Sequence, residues 1–300
     1  MKNTSKRLVS SLIACSLALS SVAFATSSMP ADAQKSWASS SIERWIDAGL
    51  VEGDNNGNFN PSSNLTRGEL ATIFVNMFGL TEKASNNYAD LNGSEWYADA
   101  VLKCTAAGIM NGDGVNCNAT KTISRQEAMT MFARALGIND GNLTALNKFT
   151  DGNSTASWAK GALSAMVSMN IISGTTATTL SPSANIDRAS MMKLLDNAIA
   201  DYVTEANTVE ANSMNKFVII NGNTKARSGN EVEISGYTAG VIVTGSATTN
   251  VVLNDIIADV VKVDSGVSLT VNGNSTIGNL ELNSGSSLTI SENTSVTSAT

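Results

Sequence analysis

Three tryptophans, Trp37, Trp96 and Trp158, recur at intervals of 59 and 62 residues. Gly53, Gly112 and Gly174 recur at the same intervals, and Arg67, Arg125 and Arg188 recur at 58 and 63. Three residue types keeping one step define an internal repeat, whose units bury their apolar faces by packing on each other. Each unit opens on an aspartate followed by a tryptophan: Asp32/Trp37, Asp90/Trp96 and Asp151/Trp158. An amphipathic helix follows, with Ile42, Trp45, Ile46 and Leu50 at helical spacing in the first unit. Next come Gly-Leu-Val-Glu-Gly (49–53), Gly-Ile-Met-Asn-Gly (108–112) and Asn-Ile-Ile-Ser-Gly (170–174). The first glycine of units one and two fits a left-handed helix cap. A polar loop leads to Phe59-Asn60-Pro61 or Leu180-Ser181-Pro182, and a second helix starts at each arginine. Thr66 with Glu69, and Ser124 with Glu127, have capping-box spacing; Asp187 is a good cap, but Ser190 cannot complete the box.

This series of Asp-x(4–6)-Trp, helix, Gly-Ile-Ile-x-Gly, Phe-x-Pro and Ile-Thr-Arg-Ala-Glu resembles the S-layer-homology (SLH) family over about residues 30–200. The resemblance implies one mainly helical, pseudo-threefold domain. It also implies binding of secondary cell-wall polysaccharide, often carrying pyruvylated N-acetylmannosamine, in grooves between repeats. The candidate glycan-binding set is then Asp32, Trp37, Gly53 and Arg67; Asp90, Trp96, Gly112 and Arg125; Asp151, Trp158, Gly174 and Arg188. A pyruvyl ketal is a carboxylate, which an arginine at a helix N-terminus can pair with. A tryptophan face packs on a sugar ring, an aspartate accepts hydroxyl hydrogens, and a glycine lets ligand approach the backbone. A cation at a helix N-terminus opposes the dipole, so three repeated arginines argue for a ligand. Each repeated tryptophan could instead anchor the core. Trp45, without a counterpart, is expected in the core, and the capping-box glutamates are expected to be structural. The copies differ: Cys117-Asn118-Ala119 replaces Phe-x-Pro in the second, and Asp-Arg-Ala-Ser replaces Thr-Arg-Ala-Glu in the third. Unequal grooves are therefore expected.

Beyond Tyr202 the composition changes. Residues 205–215 read as a linker, and residues 216–300 as short strands rich in Val, Ile, Thr, Asn and Gly. Val261–Gly266 aligns with Leu280–Gly285, and Leu269–Val271 with Leu288–Ile290, at a step of 19. Two strands and two turns per step suggest a β-solenoid, with an antiparallel sandwich as the alternative. The last repeat runs to Thr300 without a capping element, so a longer parent chain or a separate cap is expected. The fold class is thus α+β and multidomain: repeats at 26–84, 85–146 and 147–204, then linker and solenoid.

Residues 1–25 read as a secretory signal peptide, with Lys2, Lys6 and Arg7, an apolar stretch from Leu8 to Phe24, and Ala23-Phe24-Ala25 as cleavage pattern. A membrane anchor is the alternative, and Cys15 adds a weak lipoprotein pattern. Removing those three cations takes the formal charge from −7 to −10, which argues against nucleic-acid binding. The absence of histidine excludes Ser-His-Asp and Cys-His catalysis and imidazole-based zinc sites. Glu231 and Glu233 could share a strand face, but Asp255, Asp259, Asp264 and Glu281 are scattered, and surface carboxylates are expected. Asp54–Asn58 and Asp113 are loosely calcium-like but read as solvated turns. No cofactor or metal is expected. Cys104 and Cys117 could form a disulfide in an exported chain or stand as buried thiols. The expectation is a secreted, non-enzymatic cell-wall or S-layer protein that binds wall polysaccharide and could self-associate. A wall-anchored carbohydrate-active enzyme is the alternative.

Overall fold

The computed structural model describes residues 29–138, 141–204, 207–221, 231–244 and 250–300. The signal peptide with its cleavage pattern and Cys15 lies outside the described residues.

The helices are α1 (Ala31–Gln34), α2 (Ser39–Asp47), α3 (Arg67–Phe78), α4 (Ala98–Ala106), α5 (Arg125–Leu136), α6 (Ser157–Ser168) and α7 (Arg188–Ala198). In each repeat the first long helix (α2, α4, α6) ends in a left-handed residue, Gly49, Gly108 or Asn170. The second helix (α3, α5, α7) is capped by Thr66, Ser124 or Asp187. The boxes of α3 and α5 are complete, whereas Asp187 only accepts from Ser190 N.

Three extended segments close the repeats around a pseudo-threefold axis. Leu65 N donates to Ile186 O, Ile186 N to Ile123 O, and Ile123 N to Leu65 O, at 2.9 to 3.1 Å. All three side chains are buried. Two residues further along each segment a second cycle runs in the opposite sense: Arg67 N to Lys121 O, Arg125 N to Ala184 O, and Arg188 N to Ser63 O. Around this axis Trp45, Phe74, Phe132, Leu70, Met110 and Met129 fill the core. Trp45 is fully buried and donates to Met192 O at 3.1 Å, as expected for a core residue.

The C-terminal region is a parallel β-solenoid of strands β1 (Ile199–Val203), β2 (Thr208–Asn221), β3 (Glu231–Thr244), β4 (Asn250–Val263), β5 (Ser268–Asn272), β6 (Thr276–Leu282), β7 (Ser287–Ile290) and β8 (Ser295–Ala299). Every strand pairing among the described residues is parallel, which rules out the antiparallel sandwich. The step of 19 is the coil register: Val261 pairs with Leu280, and Leu269 with Leu288. Val241, Val251, Leu253, Val261, Leu269 and Leu280 point inward and are buried.

Residues 208–215 of the expected linker belong to a strand. α7 runs directly into β1 at Ile199, and β2 begins at Thr208. The two parts share one apolar core, since Ile199, Phe217, Ile219, Ala239 and Ile242 join the helical cluster. Arg44 on α2 pins the junction. Its Nη1 donates to Asp196 Oδ1 at 2.6 Å and Ile199 O at 3.0 Å, and its Nη2 to Ala200 O at 2.8 Å.

Cys104 and Cys117 are free buried thiols, so the disulfide that the sequence left open is absent. Cys104 Sγ donates to Ala71 O on α3 at 3.4 Å, which uses the thiol inside the helix packing. Burial pushes the Cys104 thiol up to about 12.

Candidate groove sites at the repeat junctions

Three grooves lie where repeats meet, and each takes an arginine and a tryptophan from different repeats. The first groove, about 510 Å³, is lined by Arg67, the Asn111–Asp113 segment, Glu127 and Trp158. The second, about 240 Å³, is lined by Arg188, the Gly49–Glu52 segment, Glu69 and Trp96. The third, about 540 Å³, is lined by Arg125, the Ile171–Thr175 segment, Ser190 and Trp37. Each groove thus has a floor from one repeat, an arginine from the preceding one and a tryptophan from the following one, in cyclic order.

The tryptophans are not core anchors. Trp37, Trp96 and Trp158 are 69%, 67% and 53% exposed, while Trp45 is 0% exposed. Large aromatic faces left in water at three equivalent positions are what the burial rule does not ask for. Trp37 and Trp96 stand in the turns just before α2 and α4, and Trp158 in the first turn of α6.

The arginines differ from expectation. They were expected exposed and aimed at a ligand, but each crosses into the loop of the next repeat. Arg67 is buried, with Nε donating to Cys117 O at 3.0 Å, Nη2 to Asn111 O at 2.7 Å and Nη1 to Glu127 Oε1 at 3.1 Å. Arg188 closes the ring, with Nε donating to Phe59 O at 2.9 Å and Nη2 to Glu52 O at 2.9 Å. Its guanidinium lies 4.4 Å over the Phe59 ring. Arg125 Nε donates to Leu180 O at 3.2 Å. Loop carbonyls, not a ligand alone, offset the unfavourable helix-terminal charge. Burial holds Arg125 and Arg188 below the ordinary guanidinium value.

The aspartates also have a different task. Asp32 accepts from Phe59 N at 2.9 Å and Asn60 N at 2.7 Å. Asp90 accepts from Cys117 N and Asn118 N, and Asp151 from Leu180 N and Ser181 N, all at 2.8 Å. Asn60, Asn118 and Ser181 hold positive φ of 57°, 55° and 53°. That conformation is costly for residues with a Cβ, and two charge-assisted bonds stabilise it. Burial would raise the Asp32 and Asp90 carboxyls, but the loop amides outweigh it and hold both below the usual range. At Asp151 the Leu180 amide dominates in the same direction.

Gly112 and Gly174 line grooves, but their loops already require them: a Cβ on Gly174 would sit 2.6 Å from Thr176 O and Thr179 O. Gly53 lies in its own turn, 3.0 Å from Asn58 O by the same measure. The Asp54 and Asp113 carboxylates are occupied by amides and by Asn60 and Asn118, as solvated turns. No metal-binding group occurs among the described residues.

Sequence reasoning missed groove residues that the repeat register contains. Counting from the repeated arginine, the second position is Glu69, Glu127 or Ser190, the fifth Thr72, Thr130 or Lys193, and the ninth Asn76, Arg134 or Asn197. All nine line grooves. Offsets of two, five and nine put them on one helix face.

The cyclic arrangement defines a three-repeat helical module joined to a β-solenoid. Residues 31–71, 87–129 and 148–192 each match the S-layer homology domain, and the chain carries three of these domains in tandem. It is similar to the Surface-layer 125 kDa protein of Lysinibacillus sphaericus, 30% identical over 60% of this chain and 16% of that protein. It is 28% identical to the S-layer protein of Bacillus thuringiensis subsp. finitimus over 64% of this chain and 24% of that protein. It is 29% identical to Exoglucanase XynX of Acetivibrio thermocellus over 53% of this chain and 15% of that protein. The chain thus matches less than a quarter of the length of each of these relatives. It is a secreted, cell-surface protein whose helical part is a surface-anchoring module.

Proposed function

We propose that the chain is a non-catalytic anchor that binds secondary cell-wall polysaccharide, including carboxylate-bearing sugars, in its three repeat-junction grooves. One observation carries this reading: each groove sets an exposed tryptophan from one repeat in the same concavity as an arginine from another. A flat apolar face beside a guanidinium fits a sugar ring with an acidic substituent. The S-layer names of two relatives support self-association as a further property. The exoglucanase name of another favours a second reading, in which the same module anchors a longer, catalytic chain.

Co-sedimentation of the full chain with wall sacculi tests the anchor. Retention is expected on intact sacculi and not after acid extraction of the secondary polymer. Equal sedimentation after extraction would contradict polysaccharide binding. Assay of the chain on common wall glycans is expected to show no turnover.

A further inference from the structure

A further concavity lies outside the three repeat junctions, where the helical module meets the solenoid. This junction cleft, about 250 Å³, is walled on one side by Phe78, Ile109 and Ala135 and on the other by Ile242, Lys262 and Asn283. It adjoins the Trp158 groove. Arg134 on α5 lines both, and the segment after α4 gives Ile109 to the cleft and Asn111, Gly112 and Asp113 to the groove. The Trp96 and Trp37 grooves share no lining residue with the cleft.

Arg134 has donors to spare at this crossing. It is exposed, and its hydrogen bond from Nη1 to Ile109 O is long at 3.5 Å. It forms no ion pair among the described residues. The polar groups of the solenoid wall, by contrast, fix one another. Lys262 Nζ pairs with Glu281 Oε2 at 3.0 Å, and its stem lies against Gly137, the left-handed cap of α5. Asn283 Nδ2 donates to Asp264 Oδ1 at 3.2 Å. Mutual support between stacked coils orders these donors and acceptors in advance, which lowers the cost of binding.

The cleft sets two cations, Arg134 and Lys262, against two carboxylates, Asp264 and Glu281. Balanced charge favours neither an anion nor a cation. An apolar floor of Phe78, Ile109 and Ile242 under a rim of donors and acceptors suits a ring with one apolar face and a hydroxyl edge. The adjoining Trp158 groove, with Arg67, Lys121 and Arg134 against Asp113 and Glu127, carries an excess of positive charge.

We infer that the junction cleft is a further subsite for the wall polysaccharide, taking the neutral, hydroxyl-bearing unit next to the one held in the Trp158 groove. This rests on the anchoring reading above. The subsite belongs to this chain and not to the repeats alone, because the solenoid supplies one of its walls. Arg134 joins the two sites and bonds the polymer where it passes between them.

Titration calorimetry of the full chain with secondary-polymer fragments, released from sacculi and fractionated to one and to several repeating units, tests the inference. Ala107→Trp fills the cleft from the end of α4, and Lys262→Met with Asn283→Ala strips its solenoid wall of two polar groups. Neither variant touches a residue of the three grooves. Wild type is expected to bind the longer fragments more tightly than the single unit. Both variants are expected to lose about tenfold in affinity for the longer fragments, the scale of one charge-assisted contact. Their affinity for the single unit and their unfolding midpoints are expected to stay in place. Variants that keep the full gain with length, or a wild type that binds short and long fragments equally, would overturn the subsite and leave anchoring intact. A wild-type chain that binds neither the fragments nor sacculi would overturn the anchoring reading as well.

Discussion

Arg188 reaches back across 129 residues of sequence to donate from Nε to Phe59 O at 2.9 Å, with its guanidinium 4.4 Å over the Phe59 ring. This contact joins the third repeat to the first and completes a cycle that Arg67 and Arg125 begin. The repeated arginine is thus a structural closure whose remaining face looks into a groove.

Arg188→Ala is expected to destabilise the chain by about 2–4 kcal/mol, because it leaves the Glu52 and Phe59 carbonyls without their charged donor. Arg188→Lys is expected to recover little, since an ammonium cannot span two carbonyls and stack at once. Denaturant titration gives both values. A variant as stable as wild type would assign the arginine to ligand binding alone. Loss of wall binding in an Arg67, Arg125 and Arg188 triple variant therefore needs a parallel check of folding.

The exposed tryptophans separate binding from stability. Trp37→Ala, Trp96→Ala and Trp158→Ala are each expected to leave stability within about 0.5 kcal/mol, while the three together abolish sacculus retention. Trp45→Ala is expected to cost about 3–5 kcal/mol, because it opens a core cavity. Thermal unfolding and sedimentation of the same preparations check both.

The fold was legible where repetition writes packing into sequence. A step of 19 is a coil register because parallel coils stack equivalent positions, as Val261 stacks on Leu280 and Lys262 on Glu281, the latter with a 3.0 Å ion pair. A step near 60 exposed the three repeats and their caps. Trp37 and Trp45 could not be told apart by type; only repetition favoured Trp37 for the groove, and exposure settled its place. The tasks of Asp32 and Arg67 were hidden because their partners lie 27 and 50 residues away in loops. Thr208–Asn215 looked like linker because its outward side chains are polar, while Val209 and Ala211 point inward.

The aspartate staples give the fold an acid limit. Asp32, Asp90 and Asp151 are held below their ordinary values in the folded chain. Their contribution is complete above the unfolded carboxyl value of about 4 and is lost as pH falls through the lower folded values. The unfolding midpoint is expected to hold between about pH 5 and 7 and to fall below about pH 4. Asp90→Asn should flatten part of that fall and cost about 1–3 kcal/mol at neutral pH. A midpoint that rises on acidification would contradict the staple.

Cys104 and Cys117 are expected to resist thiol reagents in the native chain and to titrate as two thiols after unfolding without reductant. In a chain beginning after Ala25, which lacks Cys15, no thiol released on unfolding would show a bridge instead.

The most direct test of the grooves as wall-polymer sites is co-sedimentation of the full chain and its Trp37/Trp96/Trp158 triple alanine variant with sacculi, before and after polymer extraction. The account predicts that wild type pellets only with unextracted sacculi and that the folded triple variant stays in solution with both. A triple variant that pellets like wild type, or a wild type indifferent to extraction, would contradict it.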